Sequence, residues 1–312
     1  MKEQPVLEVD RLRKTFGDVT AVEEISFSVQ AGEIFTIIGP NGAGKTTTLE
    51  MIEGLQQPDS GKVSVFGKSW NGHSEQIKMN IGVQPQASAL FDLLTVEENL
   101  DIFASFYDRC RPVEEIISLI NLNDHRNKYV KTLSGGQKQR LAIGLAMIND
   151  PKIIFLDEPT TGLDPQARRN IWDIVQKLKE LGKTTILTTH YMEEAEKLSD
   201  RVCIVDQGKI VAIDTPKSLI GQLTREREIH LAFTGGAAQA AEAEGIARSD
   251  EAVTRAEREA ERLTVWSVRP EQTLYRIFQF TTEQDVQVEQ VSIRELSLED
   301  VFIAFTGKEW RD

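Results

Sequence analysis

Gly39-Pro40-Asn41-Gly42-Ala43-Gly44-Lys45-Thr46 matches the pattern G-x-x-x-x-G-K-[ST], whose chemistry is phosphate binding. Glycines let the backbone curl so that several N–H groups point inward at an anion, and the start of a following helix adds partial positive charge. In that setting Lys45 can bridge the outer phosphates and Thr46 can offer its hydroxyl to a magnesium ion. A second candidate is Ile153–Glu158, an apolar run ending in two acids. Beside a phosphate loop, Asp157 gives the metal a second protein contact and Glu158 can act as general base for an attacking water. The third is Leu133-Ser134-Gly135-Gly136-Gln137, which precedes a helical stretch at Lys138–Met147 and is another helix start suited to an anion.

These residues need a scaffold of alternating strands and helices. Leu7–Asp10 and Ile25–Val29 read as short strands, and Glu33–Ile38 is an apolar run ending at the glycine-rich turn. Lys45–Glu53 is expected as a helix and Lys62–Phe66 as a strand. Ile153–Leu156 is a short continuous apolar strand of the kind buried on both faces. Asp164-Pro165 opens a helix that Gly182 closes, and Thr184–Thr188 and Val202–Val205 are further strands. The order points to a mostly parallel sheet flanked by helices. Between about Ala87 and Leu133 the pattern becomes helical, with Thr95 and Glu98 spaced as a capping box.

The 312 residues carry 36 Lys and Arg against 49 Asp and Glu, a net charge of −13. That balance argues against a general nucleic-acid binder, which presents a basic face. The apolar run Leu141–Ile148 falls far short of the ~18 residues a membrane span needs. The first thirty residues lack the pattern of a signal peptide, so the chain is expected to be neither secreted nor membrane-spanning by itself. Cys110 and Cys203 have no metal-site spacing and are expected as two reduced, buried thiols.

Lysine is frequent up to Lys217 and then absent until Lys308. Residues 226–312 hold 18 acids and 10 bases, which marks them as a separate unit. Ile229–Phe233, Leu263–Val268 and Val286–Ile293 read as strands, and Ala237–Ile246 and Glu271–Thr282 as helices. Glu251–Arg262 reads either as helix or as the first arm of a hairpin. The hairpin version gives a ferredoxin-like β-α-β-β-α-β order. Ser297, with Asp300 three residues on, would cap a closing helix.

Taken together, the phosphate loop, the Leu133–Gln137 motif, the Asp157-Glu158 strand end and their order resemble the ATP-binding subunit of ABC transporters, over about residues 5–220. The resemblance implies an α/β fold: a P-loop ATPase core with an antiparallel β portion and a helical subdomain at about 87–150, in a domain of residues 1–225, followed by a small α+β domain at 226–312. It implies ATP and Mg²⁺ as ligands. Gly39 through Thr47, including Thr46 and Thr47, would hold the phosphates, with Phe16 stacked on adenine. Thr46, Asp157 and Gln86 would face the metal, Gln86 being preferred to nearby Gln84 because Pro85 precedes it. Lys45, Glu158, Gln86 and His190 would act on the reaction, and Thr161–Asp164 would communicate across a dimer. Ser134, Gly135, Gly136 and Gln137 would complete the site of a second subunit. His73, His125 and His230 receive no role.

The same resemblance implies partners: integral membrane permease subunits on separate chains and a second ATP-binding subunit, expected as an identical copy, on the cytoplasmic face of the cell membrane. The segment Ser297–Gly307 is similar to the tail of drug-resistance exporter ATPases. An importer ATPase and a soluble ABC ATPase stay open as alternatives at this point.

Overall fold

The computed structural model describes residues 4–86, 90–223, 226–234 and 237–307. Ala87 and Arg225, at two of the expected boundaries, lie outside the described residues. The chain divides into two compact units: residues up to Leu219 together with those from Phe302 on, and Ile220–Val301. The division lies a few residues before 225, and the residues from Phe302 on group with the first unit instead of with the rest of 226–312.

In chain order the first unit comprises β1 (Leu7–Phe16), β2 (Val19–Val29), β3 (Ile34–Ile38), α1 (Lys45–Ile52), β4 (Ser60–Val65), β5 (Lys68–Ser69), α2 (Trp70–Lys78) and β6 (Ile81–Gln84). It continues with α3 (Val96–Ala104), α4 (Val113–Leu119), α5 (Gly135–Ala146), β7 (Ile153–Asp157), α6 (Pro165–Glu180), β8 (Thr184–Thr189), α7 (Met192–Leu198), β9 (Arg201–Asp206) and β10 (Lys209–Asp214), and α8 (Pro216–Gln222) follows. A six-stranded sheet runs β10-β9-β3-β8-β7-β6. All its pairs are parallel except β9 with β10. A second sheet, β2-β1-β4-β5, is antiparallel.

The central strands are apolar on both sides because the large sheet separates two cores. Ile153 and Phe155 of β7 join a core with Leu7, Phe27, Phe35, Leu49 and Ile52. Ile154 and Leu156, pointing the opposite way, join a core with Val96, Leu100, Ile116, Leu141 and Trp172. This is why β3, β7 and β8 are buried at every residue. In the helical part, Thr95 and Glu98 form the expected capping box on α3.

The second unit contains β11 (Arg227–Phe233), α9 (Ala237–Arg248), β12 (Val253–Glu259), β13 (Arg262–Ser267), α10 (Pro270–Glu283) and β14 (Val288–Ile293), and α11 (Leu298–Thr306) follows. Its sheet order is β12-β13-β11-β14, all antiparallel, which is the ferredoxin-like arrangement. The ambiguous stretch is a hairpin, with Glu259 paired to Arg262 and Ala260 at φ +53° in its turn. The alanine-rich stretch is explained by packing: Ala240, Ala243 and Ala247 form the buried side of α9 against Ile229, Leu231 and Val265, where small residues let the helix lie close. Ser297 and Asp300 exchange hydrogen bonds ahead of α11.

One expectation fails. Cys203 is buried, but Cys110 is exposed. It lies in the link between α3 and α4, and residue type alone does not show its exposure.

Candidate functional site

The phosphate loop lies between β3 and α1, at the carboxyl end of the parallel strands. Two of its glycines are dictated by close backbone approach. A Cβ on Gly39 would lie 2.2 Å from the Val205 carbonyl oxygen. A Cβ on Gly44, which sits at φ +97°, would lie 2.2 Å from the Ala21 carbonyl oxygen. That second approach seats the β1–β2 hairpin on the loop. Phe16, at the end of β1, keeps a half-exposed ring, with the Lys14 ammonium 5.4 Å from its centroid.

Lys45 opens α1 and is almost fully buried. Its Nζ donates to the carbonyl oxygens of Gly39 at 2.8 Å and Pro40 at 3.2 Å. It also lies 3.4 Å from Glu158 Oε1. The Thr46 hydroxyl donates to Asp157 Oδ1 at 3.4 Å, and the Thr188 hydroxyl donates to the same oxygen. Burial pushes the Asp157 carboxyl up, against the two hydroxyl donors that pull it down.

Glu158 follows β7 in the left-handed region, at φ +46°, an uncommon conformation for a side-chain-bearing residue. Its N–H donates to Thr188 Oγ1 at 3.0 Å and to the Thr188 carbonyl at 3.1 Å. Its Oε2 accepts from Gln86 Nε2 at 3.3 Å and from the Thr161 hydroxyl at 3.1 Å. His190 Nδ1 lies 3.4 Å from the same oxygen. Burial alone would raise the Glu158 pKa. The Lys45 charge, the Thr161 hydrogen bond and His190 outweigh it and hold the carboxyl below its ordinary value. The structure therefore gathers Lys45, Gln86 and His190 around the Glu158 carboxylate and sets Thr46 on the neighbouring carboxylate of Asp157. Gln84 is fully buried instead, with its amide donating to the Pro85 carbonyl at 2.6 Å.

The remaining expected residues take their hydrogen bonds elsewhere. Ser134 caps α5: its hydroxyl accepts from Gln137 N at 3.3 Å, and Gln137 Oε1 accepts from Ser134 N at 2.9 Å. Gly135 and Gly136 are inside α5, not ahead of it. A Cβ on Gly136 would meet the Ala167 side chain at 2.9 Å, so the glycine lets α6 close on α5. Asp164 caps α6 through Gln166 N and Ala167 N, each at 3.0 Å.

Sequence reasoning missed two partners. Thr188, read only as strand, fixes both acids. His125, given no role, has its Nε2 2.6 Å from Gln137 Nε2. Because Gln137 Oε1 is already committed to Ser134, the amide nitrogen must donate there, which makes His125 Nε2 the acceptor. Both contacts are long-range in sequence, and no local pattern signals them.

A buried lysine at the first turn of a helix, a glycine loop after a parallel strand, and an acid at the end of a neighbouring strand define a P-loop nucleoside-triphosphate site. The family model described as "ABC transporter" matches residues 22–161. The chain is 38% identical over 313 residues to a Nod factor export ATP-binding protein I of Ralstonia nicotianae, covering 99% of this chain and 96% of that one. It is 35% identical to the linearmycin resistance ATP-binding protein LnrL of Bacillus subtilis, covering 98% and 100%. Among solved structures, it is similar to cbiO1 of Clostridium perfringens, part of the ABC transporter complex cbiONQ, with a TM-score of 0.64, 27% identity, and 70% and 92% coverage. It is also similar to the ATP-binding cassette MJ0796, solved as a dimer in a post-hydrolysis state with ADP and Pi, with a TM-score of 0.61, 28% identity, and 67% and 98% coverage. The chain belongs to the ABC transporter family, as an ATP-binding subunit of the exporter type.

Proposed function

We propose that this chain hydrolyses Mg²⁺-bound ATP and drives export through membrane-spanning subunits on separate chains. The observation that carries the proposal is Glu158, held at the end of β7 within reach of Lys45, Gln86, Thr161 and His190. Gly39–Thr47 and the Lys45 ammonium suit the phosphates, and the half-exposed ring of Phe16 suits adenine. Thr46, Asp157 and Gln86 offer oxygen donors, which magnesium prefers. A carboxyl such as Asp157, pushed up by burial, fits a nearby divalent cation. When bound, that ion would neutralise charge on the phosphates.

Glu158 is held below its ordinary pKa, so it is a carboxylate near neutral pH. It takes a proton from the water whose oxygen attacks the γ-phosphorus. The bond from that phosphorus to the bridging oxygen breaks, and ADP and phosphate leave. His190, just after β8 and 3.4 Å from Glu158 Oε2, would hold the γ-phosphate.

Ser134, Gly135, Gly136, Gln137 and Asp164 are proposed to serve the nucleotide of a second, identical copy arranged head to tail. The dimeric state of MJ0796 supports such pairing. Loss of phosphate would remove contacts holding the pair shut. In this reading residues 1–225 form the ATPase domain, with a helical subdomain at about 87–150 that docks the permease, and 226–312 form an accessory domain. The names of the relatives, Nod factor export and linearmycin resistance, support outward transport. Among the described residues no helix is long and apolar enough to cross a membrane, consistent with a peripheral place on the cytoplasmic face. No nucleic-acid partner is expected. Affinity purification of tagged protein from detergent-solubilised native membranes tests this. A polytopic membrane protein recovered in stoichiometric amount is expected. Recovery with ribosomes or nucleic acid, or alone from the soluble fraction, would overturn the export reading.

A further inference from the structure

His190 follows β8, yet among the described residues no hydrogen bond fixes its imidazole. Nδ1 is buried without a hydrogen-bond partner, and its approach to Glu158 Oε2 at 3.4 Å is an ion-pair distance only. Packing must therefore set the plane of the ring. The contact that does so is the neighbouring Tyr191, whose ring centroid lies 4.1 Å from that of His190 at an interplanar angle of 46°.

Tyr191 is itself held from the far side. The Arg168 guanidinium lies over its ring, 4.9 Å from the centroid. Arg168 Nε is buried and makes no hydrogen bond among the described residues; the guanidinium is drawn both to the aromatic face and to the negative charges of Glu193 and Glu194 on α7. The ring contact is attractive because the cation meets the negative face of the ring, the more so when desolvated. Arg168 and Trp172 are one turn apart on the same side of α6. Trp172 Nε1 donates to Glu194 Oε1 at 2.9 Å, and the Thr160 hydroxyl donates to Glu194 Oε2 at 3.1 Å. Glu194 is fully buried on α7. One side of α6 thus grips the His190 segment at two points, before and within α7.

We infer that Tyr191, clamped by Arg168, is a positioning residue that holds the His190 imidazole against Glu158. The inference rests on the hydrolytic reading of the site and adds to it a residue that acts through the His190 ring it packs on. A displacement of about 1 Å at a reacting group costs on the order of 100-fold in rate. Removing the ring should therefore lower turnover while leaving ground-state binding in place.

The test is steady-state hydrolysis of Mg²⁺-bound ATP by the full chain. Tyr191→Ala is expected to lower kcat roughly 10- to 100-fold with KM within about twofold. Tyr191→Phe keeps an aromatic face for both neighbours and should restore most of the rate. The backbone N–H of residue 191 donates to Thr189 Oγ1 at 3.0 Å, so neither change removes the turn. Because Tyr191 acts only through His190, His190→Ala and His190→Ala/Tyr191→Ala should be equally slow. Wild-type kcat in Tyr191→Ala alongside a slow His190→Ala would overturn the positioning role. So would a double variant slower than His190→Ala by the full Tyr191→Ala factor, which would mark Tyr191 as merely structural. Wild-type turnover in His190→Ala would instead sink the reading of His190 on which the inference stands.

Discussion

Replacing Glu53 by glutamine should stabilise the first unit at alkaline pH and leave it nearly unchanged at acid pH. Glu53 follows α1 and is 7% exposed, with Oε1 buried and without a hydrogen bond among the described residues. Burial, then the negative charges of Asp157 and Glu50, push its carboxyl from 4.5 to about 8. The folded protein therefore holds this proton where the unfolded chain releases it. The associated stability is complete below about pH 4.5 and is lost as pH rises to about 8. Between about pH 5.5 and pH 8.5 these two values correspond to a loss of about 3 kcal/mol. Glutamine has nearly the same shape and no proton to lose, so it escapes that loss. For a unit of this size, about 3 kcal/mol corresponds to roughly 6–12 °C in Tm. Thermal melts of wild type and Glu53→Gln at both pH values measure it, other titrations being common to the two proteins. Parallel dependence of Tm on pH in the two would refute the claim that Glu53 is buried and protonated.

Other consequences are simpler. One thiol should react quickly with an aromatic disulfide reagent and the second only on unfolding. Cys110 is exposed, while Cys203 is enclosed and its thiol is pushed up by burial; two fast thiols would contradict this. Thr188→Val removes the hydroxyl that donates to Asp157 and accepts from Glu158 N. It should cost about 1–3 kcal/mol of stability, read from the urea midpoint. His125→Ala leaves the Gln137 amide without its acceptor and should cost about 1 kcal/mol; an unchanged midpoint would mean that water replaces the ring at no cost.

The parts of the site visible in the sequence are those whose chemistry demands particular residues at fixed spacing. Gly39 and Gly44 are legible because any side chain would collide with the backbone at Val205 and Ala21. The apolar strand before Asp157 is legible because both of its faces are buried. Contacts made across the fold leave no local trace: Thr188 with Asp157, His125 with Gln137, Arg168 with Tyr191. Among the elements not read from the sequence, two escaped for related reasons. β6 is only four residues long and contains Gly82, whose Cβ would sit 1.8 Å from the Ala146 carbonyl oxygen, so it lacks the β-branched run that signals a strand. α7 is short and acid-rich and places Glu194 in its core, which breaks the apolar period of a helix. In the second unit, propensity alone left Glu251–Arg262 undecided, and pairing of β12 with β13 settles it as a strand.

The most direct test of the account is turnover and nucleotide binding in Glu158→Gln. Glutamine keeps the shape and cannot take a proton, so kcat for ATP hydrolysis should fall by about 10²–10⁴ while ATP affinity stays within a few fold of wild type. Hydrolysis at the wild-type rate in that variant would contradict the assignment of Glu158 as the base, and with it the chemistry proposed for this site.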